Sequence, residues 1–182
     1  MKIVQNDYSK PFYLKPPKVG TKQMVFMGII FLVLALSNPY LFIGTPIYIV
    51  YIVMKVKKFN KKTNKLLSDS INYYNSGDFE SSFKVIQDLL EIEPDNVRVK
   101  IIHALLLYNK EELQQCIDIL STIPETIIKN DLDLQLKLAE CYVKTEDFKE
   151  AKVIYSRLLK VFPRSPFIKD ALQKISEQIK EK

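Results

Sequence analysis

Two cysteines, one histidine and a scatter of acidic residues are the side chains of this 182-residue chain from which chemistry could be built. Cys116 and Cys141 could supply a thiolate, but both stand at small or inward positions of apolar helical patterns, where cysteine packs as a small hydrophobe. His103 is the only histidine, so metal-ligand spacing cannot be built from imidazoles, and its apolar neighbours predict a packed, hydrogen-bonded role. Gly77 reads as a helix C-cap, and no Gly-rich phosphate motif exists. Acidic pairs such as Glu111 and Glu112 fall on solvated helix faces. No catalytic residue, cofactor or metal is expected, and the chain does not read as an enzyme. Two cysteines also give no disulfide framework from which to infer a compartment.

Charge is divided unevenly. Residues 1–65 carry eleven lysines and one acidic residue, a net +10, while residues 66–182 carry −4, so the overall +6 belongs to the first third. Phosphate binding needs a basic face on the folded domain, so nucleic acid is not an expected partner.

Between Met24 and Met54 lie 31 residues without a charge, too long and too apolar for an ordinary core helix. Ser37-Asn38-Pro39 divides the run into two halves, each spanning roughly 20 to 24 Å at about 1.5 Å per residue. Pro46 kinks or delays the second half. Three topologies compete: a transmembrane or re-entrant helical hairpin, a single kinked span, and a signal peptide cleaved near Ala35-Leu36-Ser37. Lysines flank both ends, so a hairpin, which keeps both clusters in the cytoplasm, is favoured. Lys55, Lys57, Lys58, Lys61, Lys62 and Lys65 follow the run and are expected to meet lipid headgroups, each contributing on the order of 1 kcal/mol.

After Lys65 the pattern turns to amphipathic helix pairs with a period of 34 to 35 residues. Gly77-Asp78-Phe79-Glu80-Ser81-Ser82 with Pro94 matches Glu146-Asp147-Phe148-Lys149-Glu150-Ala151 with Pro163, the proline falling 15 residues after the aromatic in both. This resembles the tetratricopeptide repeat family over residues 63–165. The repeats run 63–96, 97–131 and 132–165. The second is degenerate, with Leu107, Leu113 and Cys116 at the signature positions and an early Pro124 that predicts a short exit helix. The expected organisation is a basic cytoplasmic segment (1–23), the hairpin (24–54), a basic linker (55–65), an all-α tetratricopeptide-like solenoid (66–165) and a capping helix (166–182). A single helix pair cannot bury its apolar faces, so stacking of repeats must build the core.

The resemblance implies a concave face lined by first-helix residues: Leu67, Ile71, Tyr74 and Asn75, then Arg98, Ile101, Leu105, Tyr108 and Asn109, then Glu140 and Lys144. Asp133, Leu136 and Val143 hold family positions on the third first helix. Tyr74-Asn75 recurs as Tyr108-Asn109 one repeat later, an aromatic and an amide suited to gripping a peptide. Leu67 and Ile71 replace the family's basic clamp for acidic C-terminal tails, so a chaperone-tail receptor is not expected. The reading is a membrane-anchored adaptor or scaffold, its repeats facing the cytoplasm, that recruits an unidentified protein to the bilayer. The alternative places the function in the hairpin, as a subunit of an integral membrane complex or as a membrane-shaping element. Oligomeric state is not legible.

Overall fold

The computed structural model describes residues 10–17, 26, 28–30, 33, 47, 49–54 and 62–181. Among them, eight helices run from position 62 onward without a strand: α1 (Lys62–Ser76), α2 (Phe79–Ile92), α3 (Val97–Asn109), α4 (Leu113–Ser121), α5 (Glu125–Lys129), α6 (Leu132–Lys144), α7 (Phe148–Val161) and α8 (Pro166–Glu181). A separate 3₁₀ turn covers Phe12–Leu14. First helices start at Lys62, Val97 and Leu132, in steps of 35 residues, and each packs against the helix that follows it or its neighbour in the stack.

The chain reverses between paired helices by one repeated device. Asp78 N–H donates to Tyr73 O (3.0 Å), Glu112 N–H to Leu107 O (3.0 Å) and Asp147 N–H to Tyr142 O (2.8 Å), closing each first helix with a Schellman turn. That turn needs a left-handed residue. Gly77 takes it at φ 84°, but its equivalents are Glu111 at 62° and Glu146 at 60°, side chains that pay strain there. The next helix opens on an acidic cap in the first repeat, where Asp78 accepts from Ser81 N–H at 3.1 Å.

Packing between paired helices relies on small residues. Ser82, Cys116 and Ala151 stand one repeat apart and are completely buried, letting each second helix approach the first. In the first repeat the close approach is also polar: the Ser70 and Ser82 hydroxyls lie 3.0 Å apart, and Ser82 Oγ donates to Ser70 O at 3.0 Å. Three buried clusters follow one another through the stack, bridged by partly buried side chains such as Tyr74 and Leu138. Leu67, Ile71, Ile86, Leu89, Val99, Ile102 and Leu106 join the first two repeats, and Ala139, Ala151, Leu158, Ile168 and Ile175 join the third to α8. The second repeat departs from the others as Pro124 predicts: α4 has 9 residues against 14 in α2 and α7, and the connection forms the short α5.

Most of residues 24–54 lies outside the described residues, as do residues 1–9, 18–25, 55–61 and therefore Lys55, Lys57, Lys58 and Lys61. The described positions of the run are helical, and their apolar side chains are largely uncovered, Ile47 at 69% and Met54 at 66%. No helix among the described residues is long and apolar enough to cross a membrane, so the expected spanning hairpin has no counterpart among them. Lys62 and Lys65 are exposed on α1.

Candidate peptide-binding groove

The first helices α1, α3 and α6 line one face of the stack. On α3 its stripe is Arg98, Ile101, Leu105 and Tyr108; on α6 it is Asp133, Lys137, Glu140 and Lys144, each at helical spacing. The face is not empty. The 3₁₀ turn of residues 12–14 packs on α3, and Tyr13, with no exposed surface, joins one buried cluster with Ile101, Leu105 and Leu134. Tyr74 and Leu14 pack on the edge of that cluster, and Leu14 also reaches the neighbouring one that holds Leu67 and Ile71.

Two side chains hold the turn in place. The Tyr13 hydroxyl donates to Asp133 Oδ2 at 3.2 Å. Arg98 Nη2 donates to the carbonyl of Tyr13 at 3.5 Å and to the carbonyl of Lys15. Arg98 and Asp133 are the second residues of α3 and α6, one repeat apart, so the period itself sets them side by side. Asp133 suits the positive end of a helix; Arg98 does not, and its position there is offset by the two carbonyls it grips. Arg98 Nε is buried with no hydrogen-bond partner. Burial and the nearby Asp131 and Asp133 carboxylates hold the Tyr13 phenol well above its ordinary range.

Tyr74-Asn75 and Tyr108-Asn109, alike in sequence, do different things. Tyr74 packs edge-on against Phe79 with centroids 5.3 Å apart, and burial raises its phenol's pKa. Asn109 Nδ2 donates to Leu105 O at 2.8 Å. Tyr108 instead crosses to α6: its hydroxyl donates to Glu140, which pushes the phenol's pKa up, with burial adding to the effect. Lys137 Nζ stands 4.7 Å over the Tyr108 ring and 3.7 Å from Asp133, and Lys144 Nζ lies 5.7 Å from the ring centroid. Asn75 is exposed.

Of the residues expected to line the groove, Arg98, Ile101, Leu105 and Tyr74 gather around Tyr13, and Tyr108, Glu140 and Lys144 gather beyond it. Leu67 and Ile71 are buried in the core between the first two repeats. On α6 the stripe passes through Lys137, while Leu136 and Val143 pack toward α7 and α8. Sequence reasoning missed Tyr13 altogether. The one signal available was the apolar triplet Phe12-Tyr13-Leu14 between Pro11 and Pro16-Pro17 in an otherwise basic segment.

Past the ends of this stripe, Glu140, Lys144, Phe148, Tyr155, Phe167 and Lys174 border an open cavity of about 300 Å³ between α6, α7 and α8. The cysteines and the histidine singled out as chemical candidates are packed among other side chains. Cys116 and Cys141 are free and buried in one cluster, and the proximity of Cys141 together with burial pushes the Cys116 thiol up. His103 is half-buried with its ring 5.4 Å from Phe83, and burial lowers its pKa. Among the described residues no group of three His, Cys, Asp or Glu side chains is placed to hold a metal.

The family model of the tetratricopeptide repeat matches residues 133–165, which span α6, α7 and the following turn. No curated protein matches the chain. Two solved structures, titled "MamA AMB-1 C2221" and "MamA AMB-1 P212121", are similar across most of the chain. The first has a TM-score of 0.59 at 17% identity, covering 87% of this chain and 89% of its own. The second has 0.58 at 16% identity, covering 87% and 84%. At that identity the likeness is one of fold: an all-helical, tetratricopeptide-like solenoid.

Proposed function

We propose that the chain is a membrane-anchored interaction scaffold whose concave face holds a peptide segment of a protein partner. One observation carries this reading. The face formed by α3 and α6 holds a short piece of polypeptide by a buried aromatic side chain and by main-chain carbonyls, the two handles by which grooves grip peptides. The tetratricopeptide match supports a protein-binding role, since folds of this kind present extended concave surfaces.

Anchoring rests on the uncharged run of residues 24–54 and on the apolar side chains its described positions leave uncovered. Docking of Tyr13 supports the hairpin over its rivals. The chain contacts the repeats as far as Lys15 and rejoins them at Lys62, so the described segments on either side of the run belong to the same domain. A single span would put Tyr13 and Asp133 on opposite sides of the bilayer, and cleavage near Ser37 would remove Tyr13. The flanking lysines favour the cytoplasmic side and anionic headgroups.

Membranes from cells producing the full chain, tagged at each terminus, test the anchor. Resistance to alkaline extraction with both tags on one side is expected; extraction into the supernatant, or tags on opposite sides, contradicts it. A photoreactive residue at position 108 in the same cells tests the scaffold: a discrete protein adduct is expected, and its absence removes the recruiting role.

A further inference from the structure

We propose that residues 11–15 are a resident stand-in for the partner: the seat they fill takes in trans a partner segment with a tyrosine followed by leucine and lysine, and the resident copy competes with it. The inference rests on the scaffold reading above and names its ligand.

The contacts that hold the resident turn are transferable. Among the described residues, the hydrogen bonds joining it to the repeats come from Arg98 and Asp133 alone. Arg98 reads main-chain carbonyls, which any segment offers, and Asp133 reads a phenol hydroxyl, which only tyrosine offers among the aromatics that fit this apolar floor. The turn itself is slight. It is one 3₁₀ turn with extended flanks at Pro11 and Lys15, and Phe12 beside the anchor is 48% exposed. The fit is also incomplete, because Arg98 Nε is buried without an acceptor. A partner segment that brings one more carbonyl to that nitrogen binds better than the resident, as a buried unpaired donor is unfavourable.

Charge fixes the chemistry of the flanks. The repeat-bearing part of the chain is net acidic, with Asp131 and Asp133 near the hydroxyl end of the seat, whereas the resident turn lies between Lys10 and Lys15. A lysine-flanked tyrosine is the complementary ligand. A phosphorylated tyrosine is excluded, since the Tyr13 ring has no exposed surface and its hydroxyl faces a carboxylate.

The test uses the full chain in detergent micelles and a fluorescent peptide with the sequence of residues 10–18. Tyr13→Ala vacates the seat and is expected to bind the peptide at least tenfold more tightly than the unaltered chain. Adding Arg98→Met to Tyr13→Ala is expected to abolish the gain, and the peptide phosphorylated on its tyrosine is expected not to bind. Equal affinity in the two chains with helicity retained, or a gain indifferent to Arg98, overturns the proposal. Should Tyr13→Ala lose its helical signal, the unaltered chain decides: saturating peptide must speed amide exchange at Phe12–Lys15, and unchanged exchange overturns the proposal. An unaltered chain that dimerises, with Tyr13→Ala or saturating peptide dissolving the dimer, gives the seat to a second copy and overturns the assignment to a partner. Failure here with the position-108 adduct intact removes the seat's ligand alone; failure of both removes the scaffold.

Discussion

The seat at the starts of α3 and α6 and the cavity between α6, α7 and α8 belong to one solenoid, yet their apolar floors are covered differently. Under the seat, Ile101, Leu105 and Leu134 are closed off by a segment from the far end of the sequence. At the cavity, Phe167 is left 54% exposed beside about 300 Å³ of open space. The polar side chains differ as well. Arg98 and Asp133 aim at a peptide's carbonyl and hydroxyl, whereas Glu140 is engaged by Tyr108 and Lys174 by Asp170 at 2.8 Å. Equivalent repeat positions therefore differ in what they hold: Arg98 and Asp133, unlike charges one repeat apart, hold residues 13–15 of the same chain, and the cavity's side chains hold one another.

Truncation should separate the two regions most strongly. Leu134→Ala, beneath the seat and fully buried, is expected to lower unfolding stability by about 2–5 kcal/mol. Phe167→Ala at the cavity, more than half exposed, is expected to lower it by less than about 1.5 kcal/mol. Urea titrations followed by circular dichroism measure both, and equal losses would erase the distinction between a sealed floor and an open one.

A smaller effect sharpens the comparison through pH. The Tyr13 phenol is raised above its ordinary value of 10.0, chiefly by burial. A phenol raised on folding contributes stability that is fully present below the unfolded pKa and is lost as pH climbs through the folded one. Thermal midpoints of the unaltered chain are therefore expected to fall above pH 10, with a shallower fall in Tyr13→Phe. At pH 7 that substitution should cost about 1 kcal/mol, the net worth of the hydroxyl's hydrogen bond. Parallel pH profiles would mean that the hydroxyl is not held by Asp133.

The sequence pattern reached some of this and not the rest, for identifiable reasons. The small positions Ser82, Cys116 and Ala151 were legible because mutual burial forces a regular spacing, and the early Pro124 forecast the short α4. Gly77 was legible as a left-handed cap, but Glu111 and Glu146 in the same conformation were not, because their residue type argues against it. The groove stripe came from the family resemblance, and the structure gathers its Arg98, Ile101 and Leu105 around Tyr13 on α3. On α6 the expected Asp133, Glu140 and Lys144 share the stripe with Lys137, which lies over Tyr108, whereas Leu136 and Val143 pack toward α7 and α8. Tyr13 was invisible: it meets α6 across 120 residues of sequence, and a lone 3₁₀ turn has no periodicity to announce its buried side.

The smallest expected change concerns those strained turns, one ending the seat's helix α3 and one beside the cavity. Glu111→Gly and Glu146→Gly are each expected to stabilise the fold by up to about 1 kcal/mol, since glycine tolerates positive φ. Denaturant midpoints check this. A gain at Glu146 but not at Glu111 would show that the Lys110–Glu80 ion pair beside the first turn, rather than backbone strain, sets the difference.

The central claim is that the concave face holds Tyr13 of its own chain. Methyl-labelled full-length protein in micelles tests it directly, by nuclear Overhauser contacts from the Tyr13 ring. Contacts to the methyl groups of Ile101, Leu105 and Leu134 are the predicted result. A Tyr13 ring with the shifts of an unstructured tyrosine and no contact to those methyl groups would contradict the account.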